Sequence, residues 1–76
     1  MRRSEVKIGK KYLTNGGTVV ECVDLGEGRF PRIPKFKTIF PVAGREWLLE
    51  GRELDREVSD REVEAYLGKR ADREAV

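Results

Sequence analysis

Residues 29–37 read Arg-Phe-Pro-Arg-Ile-Pro-Lys-Phe-Lys and carry the strongest chemical pattern in the chain. Four cations alternate with two aromatics and one isoleucine, and no acid lies between them. Cations neutralise phosphates while aromatic faces stack on bases, a pairing that holds single-stranded nucleic acid without reading its sequence. Arg29, Phe30, Arg32, Ile33, Lys35 and Lys37 are therefore the candidate binding residues. The same set suits a protein partner, where charge steers encounter and fixes register. A packing reading competes with both. Phe30, Ile33 and Phe36 recur every three residues, a spacing that pins a loop onto a core, and Phe36 falls on the inward face of the following strand. The cations then only keep a sheet edge soluble.

Charge has polarity along the chain. The net charge is +2, with nine basic and four acidic residues in 1–38 (+5) and seven basic and ten acidic residues in 39–76 (−3). A total this small does not by itself argue for nucleic acid.

Most enzyme chemistry is missing. There is no histidine, which removes the usual general base near neutral pH and the commonest transition-metal ligand. The single cysteine, Cys22, allows neither an internal disulfide nor a structural zinc site. It lies within an apolar run and reads as a small buried hydrophobe. No phosphate-cradling glycine motif is present, and Gly26-Glu27-Gly28 is only a flexible turn. Carboxylates crowd residues 46–64, yet most neighbour an arginine, as in Arg45-Glu46, Arg52-Glu53 and Arg61-Glu62, which reads as a solvated salt-bridged face. The expectation is a protein that is not an enzyme and uses no metal or cofactor.

The elements that would position residues 29–37 are strands. Lys11-Tyr12-Leu13-Thr14, Asn15-Gly16, and the run from Thr18 to Leu25 predict a hairpin closed by a tight type I′ turn. Within the second strand, Val20 and Cys22 fall on one side and Val19, Val23 and Leu25 on the other. That pattern fits a coiled barrel strand or one covered on both faces. Pro31 and Pro34 keep the basic segment out of a central strand, so it reads as an extended surface loop. Residues 36–42 alternate, placing Phe36, Thr38, Phe40 and Val42 on one face. Glu46–Glu50 predicts a fourth strand with Trp47 and Leu49 inward, and 52–54 a short fifth. Trp47 is expected in the core among Tyr12, Val20, Val23 and Phe40, so that Trp47→Ala should unfold the domain.

The tail changes character. Ser59-Asp60-Arg61-Glu62 matches a capping box, and Val63, Tyr66 and Leu67 form an apolar stripe ahead of Gly68. A rival reading runs one helix from 53 to 67. The favoured architecture is mainly β: a small five-stranded barrel over 8–58, preceded by a mobile arm (1–6) and followed by a capped helix (60–68) and a tail (69–76). At 76 residues this is one domain, burying roughly 60% of its unfolded surface. No run approaches the ~18 apolar residues of a membrane span, and no apolar stretch follows Arg2-Arg3, so a cytoplasmic location away from membranes is expected.

One resemblance goes further. The order Gly9-x-x-Tyr12, Thr14-Asn15-Gly16-Gly17-x-Val19, Phe40-Pro41-Val42-Ala43-Gly44 and Trp47-x-x-Glu50-Gly51-Arg52 resembles short uncharacterised phage and prophage proteins with a small barrel of the Src-homology-3 kind. It spans about residues 8–54 and rests on turn glycines and core positions, so it transfers no functional residue. It implies a phage accessory protein acting in the host cell, a class that binds and inhibits host machinery. The leading expectation is accordingly a non-enzymatic module that docks on a host protein or nucleoprotein complex, such as a defence or transcription complex. The alternatives are direct nucleic-acid binding through 29–37, sequestration of a small nucleotide in a pocket between subunits, and a minor structural role in a virion.

Overall fold

A computed structural model describes the backbone of residues 1–74 and the side chains of residues 1–68. After a 3-10 turn at Arg3–Glu5 come β1 (Lys11–Thr14), β2 (Val19–Asp24), β3 (Lys35–Phe40) and β4 (Glu46–Leu48). A second 3-10 turn at Gly51–Glu53 leads into β5 (Leu54–Val58) and then α1 (Asp60–Glu74). The strands form one antiparallel sheet in the order β4-β3-β2-β1-β5. Its edge strands β4 and β5 do not pair with each other, so the expected barrel is not closed. β4 is only three residues long, and the 3-10 turn carries the chain away before β5 begins at the far edge.

The sheet is covered on both faces. One face buries Val6, Tyr12, Val20, Cys22, Phe36, Leu49 and Leu54. The other buries Val19, Val58 and Val63 of α1, with Leu13, Ile39, Phe40 and Tyr66 packed around them. Alternation sends Tyr12 and Leu13 of β1, and Val20 and Val19 of β2, to opposite cores, and register shifts in β3 and β5 reassign the residues that follow them. In β3, Thr38 lies opposite Val20 but Phe40 lies opposite Val19, so Ile39 is the extra residue of a bulge. Phe36 and Thr38 therefore face the first core, while Phe40 turns to the second, where it meets Tyr66 at 5.3 Å between ring centroids. In β5, Leu54 lies opposite Thr14 and Arg56 opposite Leu13, which leaves Asp55 unpaired. Leu54 thus joins the first core and Val58 the second. The third shift skips Val23, which stands exposed.

Those shifts correct the reading of Trp47. It pairs across the strands with Phe36 and shares its face, but β4 is the edge, and Trp47 remains 38% exposed. Two of its expected neighbours have gone elsewhere: Val23 is extruded, and Phe40 faces the helix. Tyr12 and Phe36 hold the centre instead, edge to face at 6.0 Å and both fully buried. The Tyr12 hydroxyl accepts the Lys7 N–H at 2.8 Å and donates to the Glu5 carbonyl at 3.3 Å. With Val6 buried and Met1 packed on the same core, residues 1–6 are a docked segment rather than a loose arm.

The hairpin turn also differs. Asn15 has no positive φ; the left-handed residue is Gly17, at φ +86°. Thr14 closes the loop, with its N–H donating to the Thr18 carbonyl and its Oγ1 accepting the Thr18 N–H. Asn15 is occupied elsewhere, donating from its backbone to Glu53 O and from Nδ2 to Arg52 O. The tight type I′ form would lose those two bonds.

The helix begins as the capping box requires. Ser59 Oγ accepts the Glu62 N–H at 3.2 Å, and Glu62 Oε1 lies 3.5 Å from the Ser59 N–H. The single helix over 53–67 does not form, because 54–58 pairs with β1. Gly68 does not end α1, which runs on to Glu74. One interior glycine costs only about 1 kcal/mol against the good helix formers around it. Two ion-pair contacts tie α1 down. Arg56 Nη1 meets Glu62 Oε2 at 2.7 Å, and Lys11 Nζ lies 3.0 Å from Asp60 Oδ1 and 3.6 Å from Glu21. The Asp60 partner raises the Lys11 amine above its ordinary value, and Arg56 lowers the Glu62 carboxyl below its own.

Phe36→Ala should cost ~3–5 kcal/mol and unfold the domain. Trp47→Ala should cost less than half as much and still melt cooperatively, as urea titrations of the two variants will show. Ser59→Ala should cost ~0.5–2 kcal/mol by removing the cap. Because the Glu62 value is depressed in the fold, its contribution is complete above the ordinary glutamate range and is lost as pH falls through the lowered value. Arg56→Ala should flatten the acid limb of a stability–pH profile.

Candidate binding surface

The segment joining β2 to β3 is braced at both ends. Asp24 Oδ1 accepts the Gly26 N–H at 2.7 Å and lies 3.9 Å from Arg29 Nη2. The same Arg29 nitrogen donates to the Ile33 carbonyl at 2.9 Å, spanning the loop from within. Gly26 takes φ +76°, and a Cβ there would sit 2.8 Å from Ile33 O. Pro34 is fully buried, and its carbonyl accepts the Leu49 N–H at 3.1 Å. The loop is therefore held by its own backbone and by one guanidinium.

At its tip stands Phe30, 99% exposed. Water-exposed aromatic surface of this extent on a braced loop is the opposite of the pinning role that the three-residue spacing suggested. Ile33 and Phe36 do turn toward the protein, half-buried and buried respectively. Arg32 is exposed next to the tip.

The six candidate residues thus divide. Arg29 and Ile33 shape the loop, and Phe30 and Arg32 are presented to solvent. Lys35 and Lys37 lie on β3 among acids. Lys35 stands opposite Asp24 and 4.0 Å from Glu46, and Lys37 stands opposite Glu21 and Glu46. Only Arg32 and Lys37 of the four cations have no ion pair or hydrogen bond among the described side chains. For single strands the salt slope is about −0.7 per neutralised phosphate, so this segment supports about −1.4 instead of the −3 that four free cations would give.

Two further surfaces escaped the sequence reading. Arg3, Arg32 and Arg52 line a groove of about 430 Å³ with Glu50, over Ile33 and Pro34. The three arginines come from the first 3-10 turn, the loop and the second 3-10 turn, so no local spacing signals their meeting. Met1 completes this region: its backbone carbonyl lies against Gly51, where no Cβ would fit. The second surface is a smaller depression of about 150 Å³, where Trp47 meets Thr18, Thr38, Pro41, Val42 and Arg45. Cys22 is fully buried, its Sγ 3.6 Å from the Asp24 carbonyl, and burial pushes its thiol above the ordinary value. Among the described residues no three of His, Cys, Asp or Glu gather to hold a metal, and no helix is long and apolar enough to cross a membrane.

Comparison with protein-family models, curated proteins and solved structures returns no match.

The bracing can be tested with two glycines of similar backbone. Gly26 (φ +76°) would meet Ile33, whereas Gly28 (φ +80°) faces open space. Both alanine variants bear the left-handed strain, of order 1–3 kcal/mol. Gly26→Ala should lower the urea midpoint further than Gly28→Ala and raise amide exchange across 26–34.

Proposed function

We propose that this chain is a non-enzymatic binding module, of the accessory type that phages encode, which docks on a host protein complex through the Phe30 tip and blocks it. The observation that carries this reading is the complete exposure of Phe30 on a loop braced by Arg29 and Gly26. Large aromatics with an adjacent arginine are the side chains that dominate binding energy at protein interfaces, provided a partner pocket desolvates them. A loop ordered before contact also loses less entropy on docking. Lys35, beside Glu46, and Arg29, bound to Ile33, are poorly placed to follow a phosphate backbone, which favours a protein over nucleic acid. The five-stranded sheet is read as a Src-homology-3-like barrel left open between β4 and β5. Its support is the four-strand meander followed by a fifth strand that returns to β1. Phage origin and a place of action in the host cytoplasm rest on the resemblance to phage proteins.

The test is capture from nuclease-treated bacterial lysate by immobilised wild type and by Phe30→Ala. A hot-spot aromatic contributes at least ~2 kcal/mol, so the variant should lose about thirty-fold in affinity for the stoichiometric partner while its melting temperature is unchanged. A catch that Phe30→Ala retains overturns the docking mode. A catch that vanishes with nuclease, accompanied by oligonucleotide binding in anisotropy, replaces it with direct nucleic-acid recognition.

A further inference from the structure

The groove beside the Phe30 loop specifies what the partner presents there. Arg3, Arg32 and Arg52 line it, and Glu50 is the one acid among its lining residues. That acid is already engaged, its Oε2 2.8 Å from Arg52 Nε. Arg3 and Arg32 have no partner among the described side chains, so the groove carries more positive charge than it neutralises. Arginine is the side chain suited to bidentate pairing with carboxylates. Beneath the rim, Ile33 and Pro34 supply apolar surface. The rim stands on braced backbone. Arg32 lies between the Pro31 carbonyl, which accepts the Ile33 N–H, and buried Pro34, while Arg52 sits in a turn closed by the Glu50–Glu53 capping box. Pro31 and Arg32, which follow Phe30 in the chain, line the groove, so tip and groove belong to one loop.

We propose that this groove binds an acidic peptide segment of the docked partner, with carboxylates on Arg3, Arg32 and Arg52 and an aliphatic side chain over Ile33 and Pro34. The inference rests on the docking role of Phe30 but adds the chemistry of what docks. A nucleotide fits less well, because no aromatic side chain lines the groove to stack on a base. A nucleic-acid strand fits less well too, because the cations on β3 lie beside Glu21 and Glu46.

The experiment uses a fluorescein-labelled eight-residue peptide of aspartate and glutamate with two leucines, titrated at low salt against the full chain. The expected result is saturable binding that weakens at least tenfold in Arg32→Glu and in Arg52→Glu. The charge-matched control Lys37→Glu should weaken it by less than threefold. Equal loss in the Lys37→Glu control means attraction to net charge alone and overturns the site. So does the absence of peptide binding, or displacement of the peptide by a nucleoside triphosphate or a short oligonucleotide. The two failures are separable. If Phe30→Ala abolishes capture of the partner while Arg32→Glu and Arg52→Glu leave the peptide titration untouched, the docking role stands and the acidic segment does not. If the peptide titrates as expected but Phe30→Ala retains the partner, the groove stands and the docking role of the tip does not.

Discussion

One sheet with two faces to bury, in a chain of 76 residues, is the constraint from which the rest of this structure follows. A small domain has little apolar sequence to spare, and β1, β2, β3 and β5 each send side chains to both cores. A β-strand alternates strictly, and only an inserted residue changes which face its later side chains meet. Ile39 and Asp55 are those residues. They let Phe36 and Leu54 pack on one side while Phe40 and Val58 receive α1 on the other. Straightening either strand would send its later apolar side chains to the wrong core.

The arm and the basic loop are then fastened to this frame by polar contacts. Tyr12 fixes residues 5–7 through a hydroxyl that both accepts and donates, at the centre of the first core. Arg29 and Asp24 shape the segment between β2 and β3. These contacts explain why cationic and aromatic groups adjacent in sequence end in different roles. A guanidinium that braces its own loop is not available to a ligand, whereas the neighbouring phenyl ring, which the fold leaves uncovered, is. In the docking role proposed above, recognition is divided between the Phe30 tip and the charged groove, both mounted on backbone held by the fold.

Much of the architecture was legible in the residues. The β-branched run of β2, the alternation after Lys35 and the Ser59–Glu62 capping pair each correspond to an observed element. So does the double-sided apolar pattern of β2, one of whose two readings was a strand covered on both faces. The bulges were not legible, because no glycine or other signal marks Ile39 or Asp55. That one omission misplaced Phe40 and, with it, the surroundings of Trp47. Asn15-Gly16 carries a strong hairpin preference, but two bonds from Asn15 to the second 3-10 turn outweigh it. Within the candidate surface, Phe30 and Arg32 could be read from composition. Arg3 and Arg52 could not, since only the path of the chain brings them to Arg32.

The burial of Cys22 has a practical consequence for studying this surface. A thiol enclosed in the centre of a sheet, with its ionisation held back by burial, is a poor nucleophile toward alkylating dyes. Maleimide should therefore label the native chain only as it unfolds. A cysteine introduced on the exposed rim would therefore be the one reactive position, and a fluorophore there would report on the groove without first removing the native residue.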